Sequence, residues 1–122
     1  MVTKKSVLIV DDEPQIGKIF GLKLRLAGYN VASTTSGAEA IELARTQKFD
    51  VMLLDVLMSD VTGLDVLSKV RTFSQIPVIL FTARADIFEI AKRFGANDYI
   101  SKPLNPDRLV EKIRSVLGEK DR

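Results

Sequence analysis

The sequence predicts an α/β fold in which helices cover both faces of an open parallel sheet. Short apolar runs alternate with segments of helical periodicity along the whole 122-residue chain, and five such pairs follow one another. A strand–helix repeat of this kind requires a parallel sheet with right-handed crossovers. A closed barrel would need about eight pairs. The repeat therefore predicts a doubly wound (βα)5 open sheet.

Five short segments are the predicted strands. The first, third and fourth are apolar almost throughout, which is typical of central strands buried on both faces. In chain order they are SVLIVD (6–11), NVASTT (30–35), VMLLD (51–55), PVILFT (77–82) and DYISK (98–102).

Five segments with helical spacing of apolar residues are the predicted helices. They cover residues 14–27, 36–46, 63–72, 85–94 and 107–117. The first begins with Pro14 at the first helical position, and Ser36 is placed to cap the second. Glycines follow the first, fourth and fifth helices, as expected at helix ends. The predicted buried stripe of the first helix is Ile16, Ile19, Phe20, Leu24 and Ala27.

Composition indicates one domain and excludes several kinds of site. The chain is 46% hydrophobic, enough for a single core, so we predict one domain over 1–122 with its core at about 5–118. Residues 119–122 are a polar tail or the start of a linker. The absence of cysteine excludes disulfides and thiolate metal sites, and the absence of histidine removes the commonest general base.

Charge and hydropathy give no sign of a membrane or a nucleic-acid partner. The net charge of +2 comes from 18 basic and 16 acidic groups spread along the chain. The apolar run at 7–10 is shorter than the ~7 to 15 residues of a signal core, and no segment approaches the ~18 of a membrane span. We therefore expect a cytoplasmic domain that binds neither membrane nor nucleic acid directly.

Polar residues collect where the predicted strands end. Asp11 and Asp12 follow the first strand, Asp55 ends the third, Thr82 the fourth and Lys102 the fifth. If the strand order is 2-1-3-4-5, three carboxylates share one pocket, and two such charges ~4 Å apart repel by about 4 kcal/mol. One lysine cannot neutralise three acids. A divalent cation with all-oxygen ligands, Mg²⁺ or Mn²⁺, is the simplest remedy.

Each of these residues also has a purely structural interpretation. Asp11 and Asp12 could cap the helix at Pro14, and Thr82 could cap the helix at 85–94. Lys102 could be a solvated surface lysine. Asp55 is harder to explain in this way, because an acid closing an apolar strand is costly to bury unpaired. All these interpretations would have to hold together at one corner of one sheet.

Four motifs then identify a family. VLIVDDE (7–13), VMLLDVLMSDVTG (51–63), VILFTA (78–83) and DYISKP (98–103) resemble the receiver domain of two-component response regulators, in order and spacing. The resemblance covers roughly residues 5–118. With it we adopt the strand order 2-1-3-4-5.

The resemblance implies a role for each matching residue. Asp55 corresponds to the phosphoacceptor. The Mg²⁺ ligands would be Asp11, Asp12, Asp55 and the backbone carbonyl of Leu57. The phosphoryl group would contact Thr82, Ala83 and Lys102, and the switch residues would be Thr82 and Tyr99. The bond between Lys102 and Pro103 would be cis.

The implied function is that of a signalling phosphoprotein. Asp55 would accept a phosphoryl group from a sensor histidine kinase or a phosphotransfer protein. The surface formed by residues 85–117, with Phe88 exposed on it, would then change and control an effector domain or protein. A homodimer and a phosphorelay shuttle are both compatible with this function. The chain would catalyse only its own aspartyl phosphorylation and dephosphorylation.

One departure and three alternatives accompany this interpretation. Ser59 stands where the family usually has proline, which frees one backbone N–H and loosens the loop. A Mg²⁺-dependent phosphohydrolase would need a second acid at position 57, which is leucine. A flavodoxin-type carrier would need amide donors where VDDEPQ places three acids. A receiver-like module that is blind to phosphate would lack some of the pocket residues that this chain retains.

Overall fold

The computed structural model describes residues 4–119, which form a five-stranded sheet flanked by helices. The strands are β1 (Ser6–Val10), β2 (Asn30–Thr34), β3 (Val51–Asp55), β4 (Val78–Thr82) and β5 (Asp98–Ser101). The helices are α1 (Pro14–Leu26), α2 (Gly37–Thr46), α3 (Gly63–Val70), α4 (Ile87–Phe94) and α5 (Pro106–Val116). The predicted α/β fold is confirmed. Of the predicted tail at 119–122, residues 120–122 lie outside the described residues.

All neighbouring strands are parallel, and their order is β2-β1-β3-β4-β5. The predicted order is therefore confirmed. In the register, Val10 lies opposite Leu54, and Asp55 lies opposite Phe81. Strands β1, β3 and β4 consequently end at the same edge, which brings the residues that follow them together.

The central strands are buried because a helical layer covers each face of the sheet. Met52 and Leu54 of β3 face the layer formed by α2, α3 and α4. Val51 and Leu53 face the opposite layer, formed by α1 and α5. Because successive side chains of a strand point to opposite faces, a run of apolar residues fills both cores.

Helix boundaries differ from the prediction by one or two residues. Helix α4 begins at Ile87 instead of residue 85, and α3 ends at Val70 instead of residue 72. The carboxylate of Asp86 accepts two bonds from the Arg84 side chain, at 3.0 and 2.9 Å, and makes no cap hydrogen bond to α4. Residues 85 and 86 form a turn before the helix.

The predicted stripe of α1 is wrong at one position. Ile19 is 54% exposed, together with Leu22 at 59% and Leu26 at 77%. The residues of α1 that are fully buried are Phe20, Gly21 and Leu24. Gly17 lies against β2, where an added Cβ would be 3.0 Å from the Ser33 side chain, and Ile19 lies on the opposite side of the helix, toward solvent. Helix α1 therefore carries an apolar stripe that the core does not use, which we call the α1 stripe (Ile19, Leu22 and Leu26).

No helix within residues 4–119 combines the length and the apolar character needed to cross a membrane.

Candidate functional site

Asp55 closes the apolar strand β3 with a side chain that is almost completely buried, at 3% exposure. Its Oδ1 atom accepts a hydrogen bond from the backbone N–H of Leu57, at 3.2 Å. The loop then returns to the strand, because the N–H of Gly63 donates to the carbonyl of Val56 at 2.8 Å. A Cβ at position 63 would lie 2.0 Å from the carbonyl oxygen of Asp55, so only glycine fits there.

Asp11 and Asp12 follow strand β1 at the same edge. Asp11 is buried, and its Oδ1 accepts a hydrogen bond from the backbone N–H of Glu13 at 2.9 Å. Its own N–H donates to the carbonyl of Thr34 at 3.2 Å, which joins the residue after β1 to the end of β2. Asp11, Asp12 and Asp55 each offer a carboxylate oxygen, and these oxygens lie within 4.8 Å of one another. The fold thus brings the three predicted acids together.

Lys102 reaches this acidic cluster from the end of β5. Its Nζ lies 3.0 Å from Asp11 Oδ2 and 3.4 Å from Asp55 Oδ2. The ammonium also sits 4.8 Å from the centre of the Phe81 ring. The backbone N–H of Lys102 donates to the carbonyl of Thr82 at 2.9 Å, and the bond to Pro103 is cis, as the resemblance implied. Lys102 is therefore held over the site and is not a free surface lysine.

The charges of the site shift the pKa values of its members. Burial, together with the nearby carboxylate of Asp11, raises the pKa of Asp55 to about 6, although Lys102 works in the opposite direction. Partial burial disfavours the charged form of Lys102. The hydrogen bond to Asp11 and the attraction of both acids outweigh this, and the pKa of Lys102 is raised. One ammonium thus compensates only part of the repulsion among three carboxylates.

The other predicted site residues lie at the ends of β4 and β5 and do not belong to the acidic cluster itself. Thr82 is buried at the end of β4, and its Oγ1 accepts a hydrogen bond from the N–H of Arg84 at 3.3 Å. Ala83 follows it and is exposed. Tyr99 of β5 lies opposite Leu80 and makes an edge-to-face contact with Phe88, with the ring centres 5.7 Å apart. Phe88 is 57% exposed, as predicted.

Two acids near the site were not among the predicted site residues. Glu13 lies 3.7 Å from Lys102 Nζ with an exposed side chain. Asp60, in the loop after Asp55, accepts hydrogen bonds from the start of helix α2. Asp60 and α2 are more than twenty positions apart, so no local pattern could have connected them. Glu13 was visible in the motif at 7–13, where three acids occur in a row.

The donor set of the acidic cluster fits a hard divalent cation. It consists of carboxylate oxygens, two of the three acids are buried, and no histidine or cysteine occurs in the chain. Oxygen ligands of this kind suit Mg²⁺ or Mn²⁺ better than Zn²⁺ or copper. A divalent cation would also offset the effects of burial and of the Asp11 carboxylate, which together raise the pKa of Asp55.

Comparison with known proteins points to one family. The family model of the response regulator receiver domain matches residues 7–114. A probable transcriptional regulator, ycf27, of Guillardia theta is 39% identical over 117 residues, which are 94% of this chain and 46% of that protein. The chain spans about half the length of the curated relatives it matches.

Solved structures agree over nearly the whole chain. A CheY-like response regulator receiver domain protein from Methanospirillum hungatei superposes with a TM-score of 0.90 at 29% identity, covering 95% of both chains. The response regulator TrrA from Thermotoga maritima, in complex with Mg²⁺ and BeF, has a TM-score of 0.84 at 30% identity. That match covers 92% of this chain and 98% of TrrA.

The raised pKa of Asp55 predicts a pH-dependent effect of Asp55→Asn in metal-free solution. The folded-state pKa, about 6, lies above the ordinary value of 3.8, so ionising Asp55 destabilises the fold. The cost is small below pH ~4, grows as pH rises through 6, and approaches about 3 kcal/mol above it. Urea unfolding with a chelator should therefore show Asp55→Asn gaining more stability over the parent at pH 8 than at pH 4.5.

Asp65→Asn removes an exposed carboxylate outside the site and controls for the loss of one negative charge. An Asp55→Asn gain that is the same at both pH values would contradict the electrostatic account.

Proposed function

The chain belongs to the response regulator receiver domain family, and on that premise we propose that Asp55 is its phosphoacceptor. The observation that carries the proposal is the position of this acid. Asp55 is buried at the end of the central strand, shares its pocket with Asp11 and Asp12, and lies 3.4 Å from an ammonium group. An acid with only a structural role would gain nothing from two further carboxylates beside it.

The metal site would consist of the carboxylates of Asp11, Asp12 and Asp55 with the backbone carbonyl of Leu57. Mg²⁺ is the proposed ion, and Mn²⁺ has similar ligand preferences. When bound, the cation would supply positive charge to the phosphoryl oxygens and to the crowded acids. The Mg²⁺–BeF complex of the T. maritima relative supports this assignment.

The chain's own residues can perform the remaining chemistry. An ionised Asp55 oxygen would attack phosphorus while the bond from phosphorus to the donor's histidine nitrogen breaks and the nitrogen keeps the electron pair. The Lys102 ammonium, already 3.4 Å from Asp55, would donate to the phosphoryl oxygens. The Thr82 hydroxyl would donate to the same group, and the small side chain of Ala83 would leave room for it.

The receiver family is not a class of enzymes acting on an external substrate. The finer proposal is that this chain catalyses only the gain and loss of its own aspartyl phosphate. Leu57 occupies the position where a phosphohydrolase of the alternative type would carry its second acid. The carboxylates at the end of β1 would likewise repel the phosphate of a flavin cofactor.

The proposed switch starts at Thr82. Its hydroxyl oxygen accepts a bond from the N–H of Arg84, two residues along the chain toward α4. A phosphoryl group on Asp55 would draw the hydroxyl toward its oxygens, moving this turn and the start of α4. The contact between Tyr99 and Phe88 then couples the movement to β5, so the surface from 85 to 117 changes as a unit.

A second surface, the α1 stripe, is proposed to receive the phosphodonor protein. The stripe borders a groove lined also by Asn105, Pro106 and the ion pair Lys23–Asp107, at 2.6 Å. Helix α1 begins directly after the acidic motif, and Asn105 follows shortly after Lys102. A protein that presents a phosphohistidine to Asp55 would therefore cover this groove. Exposed apolar side chains grouped in this way are typical of interaction sites.

The output is proposed to lie in an effector domain or a separate protein. Relatives such as TcrX of Mycobacterium tuberculosis are named probable transcriptional regulatory proteins, and the chain covers 49% of that protein. Receiver domains interact with histidine kinases and output domains, so residues 5–118 would form the signal-receiving unit. A cytoplasmic location, a homodimer and the absence of direct nucleic-acid binding by this unit remain part of the proposal.

Phosphorylation of Asp55 is the first prediction of this function. Incubation with acetyl phosphate and Mg²⁺ should add one phosphoryl group to the parent, and peptide mass spectrometry should locate it on Asp55. Asp55→Asn should add none. Asp12→Ala should need at least about tenfold more Mg²⁺, equivalent to ~1.4 kcal/mol, because it loses a metal ligand. A phosphoryl group on another residue, or on none, would contradict the proposal and favour a module blind to phosphate.

The switch predicts that Thr82→Ala still accepts a phosphoryl group but responds poorly. Losing one hydrogen bond to a charged acceptor costs about 1.5 to 3 kcal/mol, so the switched state should become at least about tenfold less populated. Amide NMR shifts of α4 and β5 with beryllofluoride and Mg²⁺ would measure this. Ser101→Ala, which removes the hydroxyl opposite Thr82 on β5, is the matched control. Equal shifts in Thr82→Ala and the parent would refute the switch.

The α1 stripe predicts a variant that distinguishes between phosphodonors. Leu22→Asp should slow phosphotransfer from a histidine kinase that phosphorylates the parent by about tenfold, ~1.4 kcal/mol. The rate with acetyl phosphate should stay the same, because Leu22 does not contact the acids. Gln75→Asp, at an exposed loop position before β4 on the opposite edge of the sheet, serves as the control and should leave both rates unchanged. If Leu22→Asp slows both donors equally, the stripe is not a docking surface.

A further inference from the structure

The loop between Asp55 and α3 is held weakly by its own backbone. Within residues 4–119, no backbone-to-backbone hydrogen bond involves residues 58–61. The loop also has Ser59 where the family usually has proline, so φ at that position is less restricted. Yet this loop contains Leu57, whose carbonyl is a proposed metal ligand. Leu57 itself donates to Asp55 Oδ1, but residues 58–61 depend on side-chain contacts for their position.

The side chain of Asp60 supplies that contact by binding the first turn of helix α2. Its Oδ2 accepts from the Ser36 hydroxyl at 2.9 Å and from the N–H of Ala38 at 3.3 Å, and its Oδ1 accepts from the N–H of Gly37 at 3.1 Å. The bond from Gly37, together with those from Val61 and Ser36, holds the pKa of Asp60 well below its usual range. The positive end of the helix favours the same ionised form.

Gly37 gives independent evidence that the loop and α2 are fitted to one another. A Cβ added at Gly37 would lie 2.9 Å from the Val66 side chain of α3 and, in the loop, 3.1 Å from the carbonyl oxygen of Val61 and 3.2 Å from the methyl group of Met58. All three contacts are tighter than ordinary van der Waals distances. The start of α2 therefore contacts the loop at Met58 and Val61, before and after Ser59. Glycine at position 37 permits this close approach.

We infer that Asp60 is a positioning residue for the metal site: by tethering the loop to α2, it holds the backbone of Leu57 where a divalent cation can use its carbonyl. The inference rests on the proposed function, because that function makes Leu57 a ligand. Asp60 itself is three residues away, and its carboxylate is bound to the start of α2. Its tether supplies the restraint that proline would otherwise give at position 59.

The inference predicts that Asp60→Ala binds Mg²⁺ about tenfold more weakly than the parent, which is the scale of effect seen when groups supporting a metal ligand are removed. Mg²⁺ alone is the probe, followed by amide NMR shifts and calorimetry. Asp60→Asn keeps the shape and one acceptor oxygen for Gly37 but loses the charge, so its affinity should fall between the two. In both variants, hydrogen exchange without metal should be faster at the amides of Leu57 and Gly63, which donate to Asp55 Oδ1 and to the carbonyl of Val56.

Thr62→Ala is the matched control in the same loop. The Thr62 hydroxyl accepts from the N–H of Asp65 at 3.2 Å and caps α3, so its removal destabilises the protein without breaking the tether to α2. It should lose stability but keep the parent's affinity for Mg²⁺. The inference is overturned if Asp60→Ala binds Mg²⁺ within about twofold of the parent, or if Thr62→Ala loses as much affinity as Asp60→Ala.

The outcomes also separate this inference from the proposed function. If the parent binds no Mg²⁺, the proposed metal site is refuted, and the exchange rates of the Leu57 and Gly63 amides would still show whether Asp60 restrains the loop. A parent that binds Mg²⁺ while Asp60→Ala exchanges at the parent's rate would overturn the tether alone.

Discussion

The repulsion among three carboxylates at one edge of the sheet is the constraint on which the rest of this structure depends. The adjacency of β1 and β3 forces Asp11, Asp12 and Asp55 to within 4.8 Å, and burial prevents water from screening them fully. Burial and the carboxylate of Asp11 raise the pKa of Asp55, and Lys102 offsets only part of this effect. The free energy lost by burying these carboxylates together must be offset by the apolar cores on the two faces of the sheet.

Close backbone packing keeps that strained edge in one geometry. Gly63 allows the loop after Asp55 to return against its own strand, and Gly37 allows helix α2 to press on the same loop. Asp60 joins the loop to helix α2, because its carboxylate accepts hydrogen bonds from the start of that helix. Each of these contacts lies beside the site, and apart from the backbone carbonyl of Asp55 none of them involves a residue proposed to touch phosphate. The site is therefore as dependent on its supports as on its reacting groups.

The sequence predicted the fold and the members of the acidic cluster because both follow from strong local signals. Apolar runs identified the central strands. An acid at the end of VMLL indicated a functional role, because burying an unpaired carboxylate there costs free energy. Prediction from the sequence was wrong or incomplete where the position of a side chain depends on packing between elements that are distant in the chain. Ile19 has the helical spacing of a core residue, but α1 packs on the sheet through another side, where Gly17 lies against Ser33 of β2. The partners of Asp60 lie on a different helix, and no periodicity can show that contact.

A crystal structure with Mg²⁺ and beryllofluoride would test the central claim most directly, namely that the fold gathers these acids to bind a cation and to phosphorylate Asp55. We predict beryllium bonded to an Asp55 oxygen, with Lys102 and Thr82 contacting its fluorides. The cation should lie ~2.1 Å from carboxylate oxygens of the cluster and from the carbonyl oxygen of Leu57. A cation bound elsewhere, or beryllofluoride absent from Asp55 in well-ordered crystals at saturating concentration, would contradict the account.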